Sequence, residues 1–270
     1  MREKKTAGKF VAGAAALTAV VFSGTAALGH FQMIYTPEVV LKNPEEVDLK
    51  LVFTHPFNNG HTMDMGPPKE FFVVHKGKQI DLADELKPIR WKGAENEGQA
   101  YEANYNIKRN GDYIFVLQPA PYYEESEDVY IQQITKSILN KGGIPSGWNE
   151  PVGLPTEIVP LNKPYNVYTG STFSGVLLSD GKRVPGAELE IEYVAAPPDM
   201  ENNRFPAQSM VRAPESALVT TTDANGTFTF GLPKSGFWGF AALDVGPDKE
   251  HEGKALSQDA VIWVHAVDLK

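Results

Sequence analysis

The stretch Ala187-Glu-Leu-Glu-Ile-Glu-Tyr193 decides the fold class, because apolar and acidic side chains alternate along its length. Successive side chains of a β-strand point to opposite faces, so a period of two predicts a strand with one buried face and one wet face. The neighbouring segments 173–178, 220–230, 236–243 and 260–267 are also strand-like and are separated by turns such as Ser-Asp-Gly-Lys and Asp-Ala-Asn-Gly. Short strands with regular turns and no long helix predict a small β-sandwich of the immunoglobulin kind.

The first half of the chain shows the same pattern. Segments 47–53 and 101–107 alternate, and an Arg-Asn-Gly-Asp turn leads from the second into 113–117, which predicts a hairpin. Segment 127–139 fits both a helix and a strand, and we favour a strand. One short helix is predicted from Asp81 to Leu86.

A proline-rich connection, residues 145–164, lies between the two halves. Proline fixes φ and donates no backbone hydrogen bond, so an extended crossover is expected there. The sequence therefore predicts an all-β protein with an N-terminal domain at 30–164 and a C-terminal sandwich at 165–270. Both follow an N-terminal segment at 1–29.

That N-terminal segment has a basic start followed by apolar or small residues at 10–29; the basic residues are Arg2, Lys4, Lys5 and Lys9. Such a layout is typical of a secretory signal or a single membrane anchor. Its length lies between a signal core of about 7–15 residues and a membrane span of about 20. We favour cleavage, with a retained anchor as the alternative. Either way, the protein is expected in the periplasm or on the outer face of the inner membrane.

His30 stands where this segment ends. A cut after Ala27 would leave Leu28-Gly29-His30 as the terminus, whose amine, two backbone nitrogens and imidazole form a planar set suited to Ni(II) or Cu(II). A cut after Gly29 would make His30 itself terminal, with amine and imidazole able to chelate either metal. Without a cut, His30 would lie just outside the bilayer.

The composition limits the class of partner and the side chains that could bind a metal ion. The chain has 270 residues, 42% of them hydrophobic, and a formal charge of −9. Removing the N-terminal segment takes away a net +3 and leaves −12, which argues against a nucleic-acid partner. There is no cysteine, so imidazole, carboxylate and thioether groups are the remaining metal donors.

Two further histidines frame a turn. His55 ends a predicted strand, and His61 follows an Asn-Asn-Gly turn. In an extended chain, Met63 and Met65 would project to the side of His61, and Asp64 to the other. We predict a metal site at His30, His55 and His61, with three weaker candidates: Asp64, Met63 and Met65. The alternative is an ordinary loop with methionines that fill the core.

Other features predict no chemistry. His75 and His251 are expected to be solvated, His265 to be packed on its strand, and the acidic run at 124–128 to be a wet loop. The sequence contains no Gly-x-Ser-x-Gly elbow, phosphate-binding glycine loop, His-Glu-x-x-His or cysteine nucleophile. We therefore expect a protein that is not an enzyme.

Several stretches resemble a bacterial family of exported proteins associated with nickel and cobalt uptake, described as the periplasmic component of a cobalt or nickel ABC-type transport system. They include His61-Thr-Met-Asp-Met-Gly-Pro-Pro68, Gly147-Trp-Asn-Glu-Pro-Val-Gly-Leu154 and Gly236-Phe-Trp-Gly-Phe240. The resemblance implies Ni²⁺ or Co²⁺ as the bound ion and a membrane uptake permease as the partner. The second half also resembles a transthyretin-like or carboxypeptidase-regulatory-like module.

Three hypotheses follow. The first is an exported accessory protein that binds Ni²⁺ or Co²⁺ and delivers it to an uptake permease. The second is a non-enzymatic β-sandwich adhesion or scaffold module with incidental histidines. The third is a periplasmic copper-binding protein that uses a terminal histidine.

Overall fold

The computed structural model describes residues 29–206 and 217–269, and these are built almost wholly of β-strands. The strands before the proline-rich connection are β1 (Phe31–Tyr35), β2 (Val40–Leu41), β3 (Glu45–Thr54), β4 (Thr62–Met63), β5 (Glu70–His75), β6 (Lys78–Asp81), β7 (Lys87–Lys92), β8 (Glu97–Ile107), β9 (Gly111–Gln118), β10 (Tyr122–Glu124) and β11 (Val129–Lys141). Those within and after it are β12 (Thr156–Pro160), β13 (Val167–Tyr168), β14 (Thr172–Ser179), β15 (Lys182–Arg183), β16 (Glu188–Tyr193), β17 (Leu218–Thr221), β18 (Thr227–Gly231), β19 (Gly236–Ala242), β20 (Glu250–His251) and β21 (Lys254–Val267). The predicted all-β class is confirmed, and so is the strand expected at 127–139. The predicted hairpin from 101–107 into 113–117 is wrong: both strands form, but β8 pairs with β3 and β7 while β9 pairs with β5 and β11 in another sheet.

The short helix predicted at 81–86 is reduced to a single 3₁₀ turn, Ala83–Glu85. Asp81 starts it as expected, since its Oδ1 accepts a hydrogen bond of 3.0 Å from the Ala83 amide. Leu86 already has extended backbone angles. Pro88 follows closely and cannot donate a helical hydrogen bond, so the turn does not grow.

The largest sheet runs through both halves of the chain. Its order is β17-β16-β19-β21-β11-β9-β5-β6. At its centre β11 pairs in parallel with β21, from Tyr130 opposite Leu256 to Ser137 opposite Trp263. This pairing joins the segment before the proline-rich connection directly to the last strand after it.

Two further sheets pack on this one. The sheet β1-β3-β8-β7, with β4 on β3, covers the N-terminal half, where the Tyr105 and Phe115 rings meet edge to face at 5.6 Å. The sheet β12-β14-β15, with β18 on β14, covers the C-terminal half. There Phe240 lies 5.0 Å from Phe173 and 5.6 Å from Phe228, centroid to centroid. Each of these two sheets thus packs against the largest sheet. The facing sides of the alternating strands are buried, as the period of two requires.

Strand β16 departs from its predicted pattern on one face. Leu189 and Ile191 are fully buried, as expected, and Glu188 is exposed. Glu192, expected to be wet, is also fully buried. The reason is tertiary: Gly29 and Phe57, from the N-terminal half, cover this end of the strand.

The proline-rich connection is held in place rather than free. Its strand β12 pairs antiparallel with β14. Glu157 of β12 accepts hydrogen bonds from the amides of Val152 and Gly153 and forms a 2.7 Å ion pair with Lys136 of β11. Both side chains of this pair are only 2% exposed. The connection is therefore pinned to the central sheet by a buried charge pair.

The predicted signal or anchor lies outside the described residues, apart from its last position, Gly29. Within the part of the chain that the structure describes, no helix has the length and apolar character needed to cross a membrane.

Candidate metal centre

Strand register brings the three predicted histidines to one end of a sheet. Strands β1 and β3 are antiparallel with Phe31 opposite Thr54, so the next residues outward, His30 and His55, are neighbours. Strand β4 pairs with the other edge of β3, with Thr62 opposite Thr54. The residue preceding Thr62 is His61, which therefore follows the same row across the sheet.

The turn between His55 and His61 is closed by the chain itself. The Gly60 amide donates to the His55 carbonyl at 3.3 Å, and the Thr54 hydroxyl donates to the His61 carbonyl at 2.9 Å. The Asn-Asn-Gly turn recognised in the sequence thus returns the chain beside the strand that it left.

The rings of His30 and His55 are in contact. Their centroids lie 4.6 Å apart, at an interplanar angle of 50°. Nδ1 of His55 lies 3.1 Å from the Gly29 carbonyl, so this nitrogen carries the proton. The lone pair of the neutral ring is then on Nε2, the nitrogen free to bind a metal ion.

Glu124, at the end of β10, completes this pair of rings. Its Oε2 lies 3.2 Å from Nε2 of His30, and the two side chains are 15% and 18% exposed. The amide and hydroxyl of Ser126 donate to Oε1 of Glu124. One carboxylate oxygen is therefore held by the turn while the other faces the imidazole.

Burial keeps the two rings neutral. It lowers the pKa of His55 to about 4, with the charge of His30 adding to the effect. It also lowers the pKa of His30, and the opposing pull of Glu124 does not overcome it. For Glu124 itself, burial is outweighed by the Ser126 hydrogen bonds and by His30, which together lower its pKa. Two neutral imidazoles and one carboxylate are the forms that bind divalent transition metals.

His61 is the exposed member of the row. Its Nε2 lies 3.4 Å from Nδ2 of Asn96. It is close enough that its charge contributes to lowering the pKa of both His30 and His55. In the described residues no three His, Asp or Glu side chains already form a ready-made metal-binding group, so the row is a pair with a nearby third imidazole.

The three weaker candidates have other contacts. Asp64 accepts hydrogen bonds from the Gln99 amide at 2.6 Å and from Arg90 at 3.2 Å. Met63 and Met65 are buried in the core, and Sδ of Met65 lies 3.5 Å from Nε2 of Gln32. The histidines therefore remain the main candidates for metal ligands.

Glu124 is the participant that the sequence did not indicate. It begins the acidic run at 124–128, for which a wet loop is predicted. In the structure it ends strand β10, where Tyr122 also packs on Phe53, with ring centroids 5.5 Å apart. The preceding Tyr-Tyr pair was a signal that the run starts on a packed strand.

The remaining histidines are packed on aromatic rings. His75, expected to be solvated, stacks on Tyr113 at 4.1 Å. His265 stacks on Phe237 at 4.4 Å, in line with its predicted packing, and His251 meets Tyr130 edge to face at 4.7 Å.

Comparison with known protein families gives one match. The family model for a domain of unknown function, DUF4198, matches residues 27–246, most of the chain. No curated protein matches the sequence.

Solved structures give weak likenesses. The adhesin InvE of Yersinia pseudotuberculosis is 14% identical, with 86% of this chain and 58% of that chain covered and a TM-score of 0.24. This chain thus spans little more than half of that adhesin chain. The D0-D1 domain of intimin is 10% identical, covering 85% of this chain and 96% of that one, with a TM-score of 0.22. A chimeric titin Z1Z2 tandem is 10% identical, covering 88% and 100%, with a TM-score of 0.21. At such scores these likenesses carry no inference about function.

Proposed function

We propose that this chain, which belongs to the DUF4198 family, is exported, binds a divalent transition-metal ion through His30 and His55, and delivers it to a membrane uptake transporter. The observation that supports the proposal most is the 4.6 Å contact of two partly buried imidazoles beside a carboxylate. Ni²⁺ and Co²⁺ are favoured by the family resemblance and accept imidazole and carboxylate donors, and copper is the alternative.

The third ligand in this proposal is His61. Exposed side chains change rotamer within nanoseconds, so its ring can turn toward the pair when an ion arrives. Metal–imidazole bonds are about 2.0–2.1 Å for zinc, so the proposal requires both rings to turn an unprotonated nitrogen toward the same ion. An ion held by two partly buried ligands and by the exposed His61 would remain accessible on the His61 side, which delivery to a transporter requires.

Calorimetric titration of the exported protein with Ni(II), Co(II), Cu(II) and Zn(II) at neutral pH tests the proposal. We expect one ion bound per chain, with Ni(II) or Co(II) giving measurable heat. Heat with Cu(II) alone would favour the copper alternative. No heat with any ion would leave the adhesion or scaffold module as the better account.

Glu124 is expected to support the centre. Glu124→Gln keeps the shape but removes the charge beside His30, so the affinity for Ni(II) should fall about 10-fold or more, the range for groups that orient metal ligands. Glu125→Gln, an exposed neighbour, is the matched control and should leave the affinity unchanged. Equal affinities for the two variants would show that Glu124 takes no part.

The pH dependence is a separate expectation. Ordinary imidazoles have a pKa of about 6.5, and metal binding would then weaken below that value. Because burial lowers the pKa of both His30 and His55, their neutral forms persist to lower pH. In His61→Ala, where only these two rings can titrate among the proposed ligands, we therefore expect the Ni(II) affinity to be nearly constant from pH 7.5 to 6 and to fall only below that range. A tenfold loss for each pH unit, starting at 6.5, would contradict the role of these buried rings.

A further inference from the structure

The turn that joins His55 to His61 is buried, although it is made of small and polar residues. Its buried members are Pro56, Phe57, Asn59 and Gly60. Turns usually lie on the surface, where water satisfies their backbone groups. In a buried turn those groups need partners from the protein itself.

Two hydrogen bonds dock this turn on the C-terminal half of the chain. The Ala195 amide, just after β16, donates to the Pro56 carbonyl at 3.1 Å. The Phe57 amide donates to Oε2 of Glu192, in β16, at 3.2 Å. Because the first bond joins two backbone groups, Glu192 supplies the side chain of this contact. Pro56 and Phe57 directly follow His55, so the contact acts close to a proposed metal ligand.

Glu192 is placed where an apolar side chain would be expected. It is fully buried, and its Oε1 is buried without a hydrogen-bond partner in the described residues. Burying a carboxyl group costs free energy unless its hydrogen bonds are replaced. A leucine would suit this burial but would leave the Phe57 amide without its acceptor. The contact with the turn is therefore what distinguishes glutamate from an apolar residue at this position.

The Glu192 carboxyl group is mainly neutral at pH 7. Burial raises its pKa to about 8, against the opposing effect of the Phe57 and Gly29 amides, and the charge of Glu190 adds to the rise. A neutral carboxylic acid still accepts a hydrogen bond on its carbonyl oxygen. Glutamine has the same shape and the same acceptor, so it is a close substitute for the neutral acid, whereas leucine has no acceptor.

We propose that Glu192 is a positioning residue for the metal centre: it accepts the Phe57 hydrogen bond and so fixes the turn that carries His55 and His61. The C-terminal half thereby takes part in metal binding, although it contributes none of the proposed ligands. The inference rests on the proposed function, because it concerns the same centre. It does not depend on where the leader is cut, since Phe57 and Glu192 belong to every form of the exported chain.

Calorimetric titration with Ni(II) at pH 7 compares three variants with the unchanged protein. Glu192→Leu removes the acceptor and should weaken binding about 10-fold, the lower end of the range for groups that orient metal ligands. Glu192→Gln keeps the acceptor and should bind Ni(II) as tightly as the unchanged protein. Leu189→Ala is the matched control: Leu189 is fully buried on the opposite face of β16. It should lower the Tm and leave the Ni(II) affinity unchanged.

The metal-free protein gives a second measurement that does not depend on Ni(II) binding. In NMR spectra, the ring signals of His55 and His61 should shift in Glu192→Leu and stay in place in Glu192→Gln and Leu189→Ala. The ring of His75, which stacks on Tyr113, is the internal reference and should not shift in any variant. If Glu192→Leu folds poorly, Glu192→Met replaces it, because the flexible methionine side chain fills irregular space.

Three results would overturn the inference: full Ni(II) affinity in Glu192→Leu, an equal loss of affinity in Glu192→Gln, or an equal loss in Leu189→Ala. The last would mean that the affinity follows stability and not the contact with the turn. If the unchanged protein bound no Ni(II) but the ring signals shifted as expected, the proposed function would fail, and Glu192 would still hold the histidine turn. Normal Ni(II) binding with unmoved ring signals in Glu192→Leu would reject this inference alone.

Discussion

Replacing Glu157 by Gln is expected to lower the free energy of unfolding by about 3–5 kcal/mol, because it leaves the ammonium group of Lys136 buried without its partner. The pair is 2.7 Å long and 2% exposed on each side. Although burial opposes the charged form of Glu157, Lys136 and the amides of Val152 and Gly153 lower its pKa. The Glu157 carboxylate thus pairs with the buried Lys136 and fixes the proline-rich connection to β11. Chemical denaturation followed by tryptophan fluorescence measures the loss.

Two control variants separate the effect of burial from the effect of charge on the free energy of unfolding. Asp244→Asn breaks an exposed ion pair of similar length, 2.8 Å to Lys249, and should cost only about 0–1 kcal/mol. The double variant Lys136→Met/Glu157→Leu removes both buried charges and should recover much of the stability lost in Glu157→Gln. If Glu157→Gln were no more destabilising than Asp244→Asn, the connection would not depend on this pair.

The double variant His30→Ala/His55→Ala is expected to reduce the Ni(II) affinity at least about 100-fold. Loss of a single group that orients a ligand already costs 10- to 100-fold, and this change removes two proposed ligands. The rings are in contact at the end of adjacent strands, so each single variant should also weaken binding. Calorimetric titration at pH 7 gives the affinities.

His251→Ala is the matched control, because His251 packs on Tyr130 and belongs to no part of the centre. It should bind Ni(II) as the unchanged protein does. Circular dichroism should show that the double variant retains its β-structure. If it bound Ni(II) as tightly as His251→Ala, the ion would be bound elsewhere and the assignment of the centre would be wrong.

Much of the local structure could be predicted because its causes are local. Alternation in 187–193 and in 101–107 required strands, and the Asn-Gly and Asp-Gly turns marked their ends. The histidines at His55 and His61 could be placed on either side of one turn for the same reason. The role of Glu124 could not be predicted, because it depends on tertiary packing that brings Tyr122 onto Phe53 and Glu124 beside His30.

Periodicity and turn chemistry in the sequence determined that this chain forms short strands and which residues end them, since a side chain's alternation depends only on its immediate neighbours. Tertiary structure alone decided that β1 and β4 flank β3 at a register that puts His30 and His61 on either side of His55. It also decided that Gly29 covers Glu192, which the alternation of β16 alone would leave in water. Both outcomes depend on pairing and packing between residues far apart in the chain, and no local pattern specifies which strand a given strand will meet.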